Sequence, residues 1–403
     1  MGGTDYSSVS GLLKNVYDER AIEDLQNKEV VTWKKIKKAP QKPVGNGFYT
    51  PALVKGNQRG QGSQNELEAL RTPATQTVLQ FIISPKIFTH TIRLSGLSIE
   101  MARGNEASFA NNLTFQMEEG LKDAAKELNA QVFRSGLGRL AQVNGAVSAS
   151  TSLVFDNGVP THLKRGMFID VYNGSTREID SIEITDVNPS TNTATLASAQ
   201  TCSDNAYVYR ENTNDNAPTG GKELSGLPLV TDNGTISATY QNLSRSTYPI
   251  LSGISIDGGG ANVSNDMLQR AISRVKILSN GKMPNKVISN TSQMRKYLDI
   301  VTPLKRFQSK DKMDSGYEEV PTWNTLEWVE DTDCQFDTIY MISTDYLEKY
   351  EVYPLKFDDT DGKILYKDPG FDAFVAYAKY YGNIGTRTPN AHVAITNLAT
   401  PSF

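Results

Sequence analysis

Apolar positions change period several times along the chain, and each change marks an element. Between 105 and 133, Phe109, Leu113, Met117, Leu121, Ala125, Leu128 and Val132 recur every three or four residues. That spacing lays one stripe along a helix. Asn105 is placed to cap its start and Gly136 to close its end. Glu118 and Lys122 fall on its outer face as an i,i+4 pair. At 1.5 Å per residue the span is about 43 Å, which predicts a beam rather than an ordinary core helix.

Strand-like runs lie at 78–83 and 87–97, just before this helix. After it the period shortens to two. Alternating runs at 166–173, 177–187, 193–197 and 205–210 are separated by turns at Asp156-Asn157-Gly158, Asn173-Gly174 and Asn188-Pro189. Met167, Ile169 and Val171 point one way, with Phe168, Asp170 and Tyr172 opposite, and Ile182 and Ile184 flank Glu183. A small β-barrel inserted at 147–216 is expected, with its more polar set facing water and 212–221 leading back to the body. Helical periodicity returns with Leu268, Ala271, Ile272, Val275 and Leu278, capped by Ser264 and stopped by Gly281. A strand at 286–289 and a helix at 292–301 follow. Strands are expected at 338–343, 350–357, 363–367 and 371–381, with the acidic run 358–362 as the turn joining 350–357 to 363–367. The sum is an α+β fold with one β insertion.

The first 80 residues bury little. A short helix is predicted at 19–27. From 28 to 42 there are six lysines against one glutamate, a basic arm suited to an acidic partner or to nucleic acid. Its apolar content is little more than Val30, Val31, Trp33 and Ile36, so it should lie on something else. Residues 46–80 are rich in Gly, Gln, Asn and Thr, and read as a projecting two-stranded arm that packs on another chain.

Composition narrows the function. The 403 residues exceed one core, with 38% hydrophobic residues and a net charge of −4 from 41 basic and 45 acidic side chains. That balance argues against a basic nucleic-acid-binding domain. No apolar run reaches membrane-spanning length. The opening Met1-Gly2-Gly3-Thr4-Asp5-Tyr6 lacks the regions of a signal peptide, and Tyr6 breaks the myristoylation pattern. Cys202 and Cys334 cannot make a disulfide framework. A soluble intracellular product is expected.

Chemistry finds no foothold. Gly221-Lys222, Gly281-Lys282 and Gly362-Lys363 are each followed by Glu, Met or Ile, so the hydroxyl a P-loop needs for magnesium is missing. Gly45-Asn46-Gly47-Phe48-Tyr49-Thr50 resembles half a dinucleotide fingerprint without the strand–helix unit. His90, His162 and His392 are isolated, with no second ligand at metal spacing. The run at 358–362 puts Phe357 at the first position of a calcium loop, which fails. Glu118-Glu119 and Glu318-Glu319 are adjacent rather than facing. No catalytic residue, cofactor or metal site is assigned.

Four stretches together resemble the major capsid protein of tailed bacteriophages, the Hong Kong ninety-seven type shell fold. Ile92-Arg93-Leu94-Ser95-Gly96-Leu97-Ser98-Ile99-Glu100, through Arg103-Gly104-Asn105, is similar to the entry to that family's spine helix. Leu243-Ser244-Arg245-Ser246-Thr247-Tyr248-Pro249 resembles the segment entering its axial domain. Val263-Ser264-Asn265-Asp266-Met267-Leu268, then Gly281-Lys282-Met283-Pro284-Asn285, looks like its axial helix and following strand. Tyr380-Tyr381-Gly382-Asn383-Ile384-Gly385 to Pro389-Asn390-Ala391-His392 is similar to its closing strands.

The resemblance implies an N-terminal arm at 1–45, an extended hairpin loop at 46–90, and a spine helix with peripheral domain at 91–146. The inserted barrel at 147–216 departs from the pattern and is expected on the outer face of the shell. Peripheral domain and connection follow at 217–240, an axial domain at 241–362, and a return to the peripheral domain at 363–403. It further implies hexamers and pentamers closing into an icosahedral shell around double-stranded DNA. The implied partners are a separate scaffolding protein, a portal, a decoration protein and non-specifically held DNA, with no membrane. The setting would be the virion, with synthesis in the host cytoplasm and Met1 or Gly2 kept as the mature terminus. DNA contact is expected to be weak and confined to the lysine arm. Candidate inter-subunit contacts are Trp33, Lys35, Phe48, Tyr49, Lys55, Arg59, Glu118 and Lys122. A covalent weld, as in some shells of the family, would join Lys55 to Asn383 or Asn390. The competing readings are an encapsulin-type cargo compartment on the same fold and a β-rich adhesin or fibre, the second disfavoured by the long helix and the absence of repeats.

Overall fold

A computed structural model describes residues 30–96, 106–156, 162–214, 221–249, 252–301, 322–360 and 362–400. The helix expected at 19–27 lies outside the described residues. Helix α1, Glu106–Val132, forms on the predicted stripe: Met117, Leu121, Ala125, Leu128 and Val132 are buried. The side chains of Phe109 and Leu113 lie outside the described residues. Gly136, at φ +77°, turns the chain away just beyond its end.

The buried side of α1 rests on a sheet built around the long strand Ala373–Thr386. Lys86–Ser95 pairs with it on one side, from Ala373 opposite Ser95 to Gly382 opposite Lys86. Along its other side run Leu347–Phe357 and then Tyr366–Lys367, both antiparallel to it. Lys37–Lys38 of the arm adds a parallel edge to Leu347–Phe357. The sequence predicted 358–362 as a turn between two strands, and the register shows that those strands do not pair with each other. Phe357 faces Ala378 and Tyr366 faces Val375, so both segments follow the same edge in one direction. The acidic residues form an excursion between them rather than a reversal. Ile92, Leu94, Ala376, Ala378 and Tyr380 supply the face toward α1.

A second sheet runs in the order Ile254–Asp257, Val393–Thr396, Ile339–Ile342, Lys286–Ser289, Leu326–Glu330, Thr322–Trp323. Helices α2, Asn265–Leu278, and α3, Thr291–Val301, cover one face. They bury Leu268, Ala271, Ile272, Val275, Met294 and Tyr297 against Val287, Trp328, Met341 and Val393. Tyr297 stacks on Trp328 at 4.3 Å between ring centroids. The opposite face, through Ile288, Val329, Tyr340, Ile342 and Ala394, joins the core around α1. Ser264 Oγ accepts from the Met267 N–H at 3.2 Å, the expected cap. The two sheets exchange strands, which sequence alone could not show. Leu347–Phe357 belongs with the first sheet, and Val393–Thr396 lies in the middle of the second.

The region expected as a β insertion has a core of its own, with Leu140, Val143, Leu153, Ile169, Val171, Ile184, Leu196 and Val208 among its buried residues. Its strands run in the order Arg139–Gln142, Tyr207–Arg210, Phe168–Asn173, Thr176–Asn188, Thr193–Cys202, Val147–Val154. A bridge between Val143 and Phe155 brings the two end strands together. Arg139–Gln142 lies inside this sheet, so a boundary at 147 cuts through it. Phe168 is exposed as expected. Asp170, assigned to the watered face, is instead fully buried: its carboxylate accepts from Arg177 and from the N–H groups of Ser181 and Asn212.

The Gly-rich segment contains a two-stranded ribbon, Phe48–Lys55 paired with Thr77–Ile83. Its base is buried through Phe48, Phe81 and Ile83, whereas Leu53 and Val78 are exposed farther out. Leu67 and Leu70 are 101% and 84% exposed in the connecting loop.

Candidate assembly surface

The basic arm is fastened to its own chain. Asp331, at the end of Leu326–Glu330, accepts from Thr32 N–H at 3.1 Å and Thr32 Oγ–H at 2.6 Å through one oxygen. The Asn129 amide of α1 donates to both Asp331 oxygens at 3.1 Å and to Asp333 Oδ2 at 2.6 Å. The Asn129 carbonyl accepts from Trp33 N–H at 3.1 Å. Burial pushes the Asp333 carboxyl above its usual range, and the Asn129 bond only partly offsets it. Arm, α1 and second sheet thus meet at one buried carboxylate.

Two of the residues expected at inter-subunit contacts are buried within their own chain. Trp33 is buried within its own subunit, edge-on to Tyr380 at 5.3 Å with the Lys349 ammonium 4.7 Å from its ring centroid. Phe48 is likewise fully buried, edge-on to Tyr350 at 5.3 Å. An aromatic with its faces already covered has nothing to offer a neighbour. Lys35 is bonded to Glu327, which also holds Lys286. Tyr49 is exposed and donates to Asn46 Oδ1 at 3.0 Å. Lys55 and Arg59 are exposed on the ribbon and its loop. Glu118 and Lys122 are half-buried on α1, with Lys122 bonded to Glu119 at 2.8 Å. The exposed residues among these, with Leu53, Leu67 and Leu70, cluster on the ribbon and its loop around Tyr49, Lys55 and Arg59.

The asparagines named for a covalent weld are both buried at home. Asn383 accepts from Ser225 N–H and donates to the Ser84 carbonyl, each at 2.9 Å. Asn390 donates to the Leu278 carbonyl at 2.8 Å. Each carboxamide braces its own subunit.

Sequence reading missed a charge node where the insertion joins the body. Arg134, just past α1, donates to Glu127 Oε1 at 2.8 Å and Glu223 Oε1 at 2.7 Å; Arg210 of the insertion donates to Glu127 Oε2 at 2.7 Å. Burial drives the Glu127 carboxyl up, but Arg134 and Arg210 outweigh it and hold it below the usual range. Glu223 has the weaker set of partners, so burial wins and its carboxyl sits above that range. His162, fully enclosed beside Arg134, is pushed down to about 3 by burial and by that positive charge. The four charged residues span 127 to 223, and no local spacing links them. The available signal was the polar run at the end of the apolar helix, where Glu127, Asn129 and Gln131 are all buried.

Among the described residues no group of three or more His, Cys, Asp or Glu side chains is placed to hold a metal ion. No helix there is long and apolar enough to cross a membrane. A cleft of about 500 Å³ opens beside Asp232, Thr235, Asp257 and Asn397. The Asp232 carboxylate is consumed by the N–H groups of Thr235, Ile236 and Ser237 at 2.9–3.0 Å, so it is a loop brace and not a base. His392 is similarly occupied, accepting from Ser343 N–H at 3.2 Å and lying 3.0 Å from Thr386 Oγ1.

No family model matches the sequence, and no curated protein matches it. Solved structures do. The chain is similar to a subunit of the cyanophage A-1(L) capsid, with a TM-score of 0.54, 12% identity and 92% of each chain covered. It is also similar to the capsid of Myoviridae phage XM1, at 0.46, 9% identity and 90% of each chain, and to the capsid of a native GTA particle, at 0.45, 10% identity and 91% and 90% of the two chains. At such identity the likeness to the cyanophage subunit shows the fold: an α+β, strand-rich chain built like a phage capsid subunit over 92% of its length.

Proposed function

We propose that this chain is a major capsid protein, a structural subunit that self-associates into a closed shell. The observation that carries the reading is the fold likeness to the cyanophage capsid subunit over 92% of both chains, and it fits a surface made for neighbours. In this reading α1 is the spine, the first sheet the peripheral domain, and the second sheet with α2 and α3 the axial domain. The two-stranded ribbon is the extended loop. It carries Leu53, Leu67 and Leu70 out of reach of their own core, and burying them on an adjacent subunit would recover about 25 cal/mol for each Å² removed from water.

Hexamers and pentamers of the chain would enclose double-stranded DNA, with a separate scaffolding protein, a portal and a decoration protein as partners. The insertion, held at the far end of α1 by the Glu127–Arg134–Arg210 node, would stand on the outer face. The apolar weight of the described residues lies in buried cores and an exposed ribbon, an arrangement that suits a structural role. Sedimentation velocity of the purified chain tests the reading. Discrete species of capsomer size or larger are expected, and a single monomer boundary across concentration would overturn it.

A further inference from the structure

Residues 221–225, which lie against the turn after α1, are bonded in five directions. The Gly221 carbonyl accepts from Lys86, at the foot of the ribbon. Lys222 donates to the Asn212 carbonyl at 3.1 Å, just past Tyr207–Arg210 of the β module. Glu223 Oε1 accepts from Arg134 at 2.7 Å, and Leu224 N–H donates to Gln131 Oε1 at 3.4 Å. Ser225 N–H donates to Asn383 Oδ1 at 2.9 Å. Asn383 passes the connection on, donating to the Ser84 carbonyl at 2.9 Å where the ribbon meets the first sheet. A segment that merely closed a helix end would bond to that helix alone.

The segment has no slack. A Cβ on Gly221 would lie 1.7 Å from the Gly136 carbonyl oxygen, and one on Gly226 would lie 2.3 Å from that of Arg134. Its backbone is therefore pressed onto the end of α1, and a packed segment passes a displacement on instead of absorbing it. On one side is the β module: Arg210 and Arg134 both hold Glu127, and Arg134 also holds Glu223. Glu223 Oε2 has no partner, so the side chain hangs on that one guanidinium. Without Arg210, two carboxylates would share it. On the other side, the corner of the ribbon borders a cleft of about 230 Å³ lined by Ile82, Ser84, Lys86, Glu223, Ser225 and Gln241. The corner has room to move there. Two of the bonds that hold it are Ile82 N–H to the Gln241 carbonyl, at 3.2 Å, and Asn383 to Ser84.

We propose that residues 221–225 are a strap coupling the β module to the ribbon. The module's grip on Glu127 holds the base of the ribbon down, and loosening that grip lets the ribbon lift about Ser84. The coupling stands apart from the capsid reading, which decides only what a lifted ribbon would touch.

The test is thiol labelling of the dilute full chain carrying Ala52→Cys, a buried position on the face of the ribbon that packs on its own body. Labelling there needs the ribbon to lift, so its rate follows the lifted population. Cys202 and Cys334, both buried, report on the module and the body in the same sample, with each site resolved by peptide mass spectrometry. Adding Arg210→Gln should speed labelling of the introduced thiol at least about fivefold and leave Cys334 unchanged. Lys222→Ala, which cuts an exposed tie and leaves the cores intact, should act in the same direction. Asn383→Ala should release the ribbon directly, so adding Arg210→Gln to it should change the rate by less than about twofold. Labelling of the introduced thiol that Arg210→Gln leaves unchanged overturns the proposal, whether or not Cys202 becomes reactive. An equal rise at Cys334 overturns it too, since the whole chain would then have loosened. So do Arg210→Gln and Asn383→Ala effects that multiply, because the two ends would then be independent.

Discussion

Asn129 and Asp331, separated by 202 residues, are joined by two hydrogen bonds of 3.1 Å. The same carboxylate holds the backbone and hydroxyl of Thr32. A helix, a sheet and an arm are thereby fixed to one another at a single buried point. Asp331→Ala would take the acceptor from four donors, the N–H and hydroxyl of Thr32, the Asn129 amide and the Asp333 N–H, and should cost about 2–4 kcal/mol of subunit stability. Thr32→Val, which keeps the backbone bond, should cost about 1 kcal/mol. Urea denaturation measures both, and limited proteolysis near Lys34 should accelerate only in Asp331→Ala. Equal costs for the two variants would mean that Asp331 is not the anchor.

The charge node predicts a different pattern. Arg134→Met leaves Glu127 and Glu223 facing each other without their shared cation, a loss of about 3–5 kcal/mol. Glu223→Gln is milder and carries a pH signature. Because the folded carboxyl of Glu223 is raised, its contribution is full below the unfolded carboxylate value and is lost as pH rises through the folded one. Glu223→Gln should therefore gain stability relative to the original chain as pH rises through that window. A pH-independent difference between the two proteins would contradict the burial argument.

Acid should weaken the subunit through two histidines. Burial holds His392 at about 3, and burial with Arg134 holds His162 there too. Below about 6.5 the unfolded chain takes up protons that the folded chain refuses, so stability falls from pH 6.5 toward 3. Each histidine contributes at most about 1.4 kcal/mol per pH unit. Neither ring nitrogen of His162 has a partner, so His162→Leu should remove its share of the slope without breaking a hydrogen bond. Calorimetry between pH 4 and 7 would show the flatter profile; an unaltered slope would place His162 among protonatable, solvated groups.

Much of the fold was legible because its signals are local. The apolar stripe gave α1 within a residue at each end, Ser264 and Gly281 bounded the region of α2, and 286–289 was read as a strand with its observed limits. The misses are all long-range. Nothing near 358–362 says that the strands on either side share one edge of Ala373–Thr386, because the intervening partner is supplied from farther along the chain. Trp33 looked like an arm residue seeking a neighbour, and its partners, Asn129, Lys349 and Tyr380, come from 96 or more residues away. Asp170 sits in the polar phase of its strand, and only the folding back of Ser181 and Asn212 buries it.

The boundary of the insertion has a practical consequence. Replacing 147–216 would remove Arg210 and strip the partners from Arg139–Gln142, exposing Leu140. Replacing 138–211 with a short Gly-Ser linker takes the whole sheet. The second variant should melt several degrees above the first, since it leaves no orphaned strand. A reversed order would show that Arg139–Gln142 belongs to the body.

The ribbon predicts a separation of folding from assembly. Leu67 and Leu70 contribute nothing to their own core, so Leu67→Ser/Leu70→Ser should leave thermal unfolding of the isolated subunit unchanged. The same variant should raise the concentration needed for capsomer formation at least tenfold, read by light scattering. Lost subunit stability with assembly intact would place these leucines in the fold rather than at an interface.

Electron microscopy of the purified full-length chain tests the central claim most directly. The account predicts closed hollow particles, or rings of five and six subunits, with the insertion as a separate knob on each. A field of compact monomers at concentrations well above those of the sedimentation runs would contradict it.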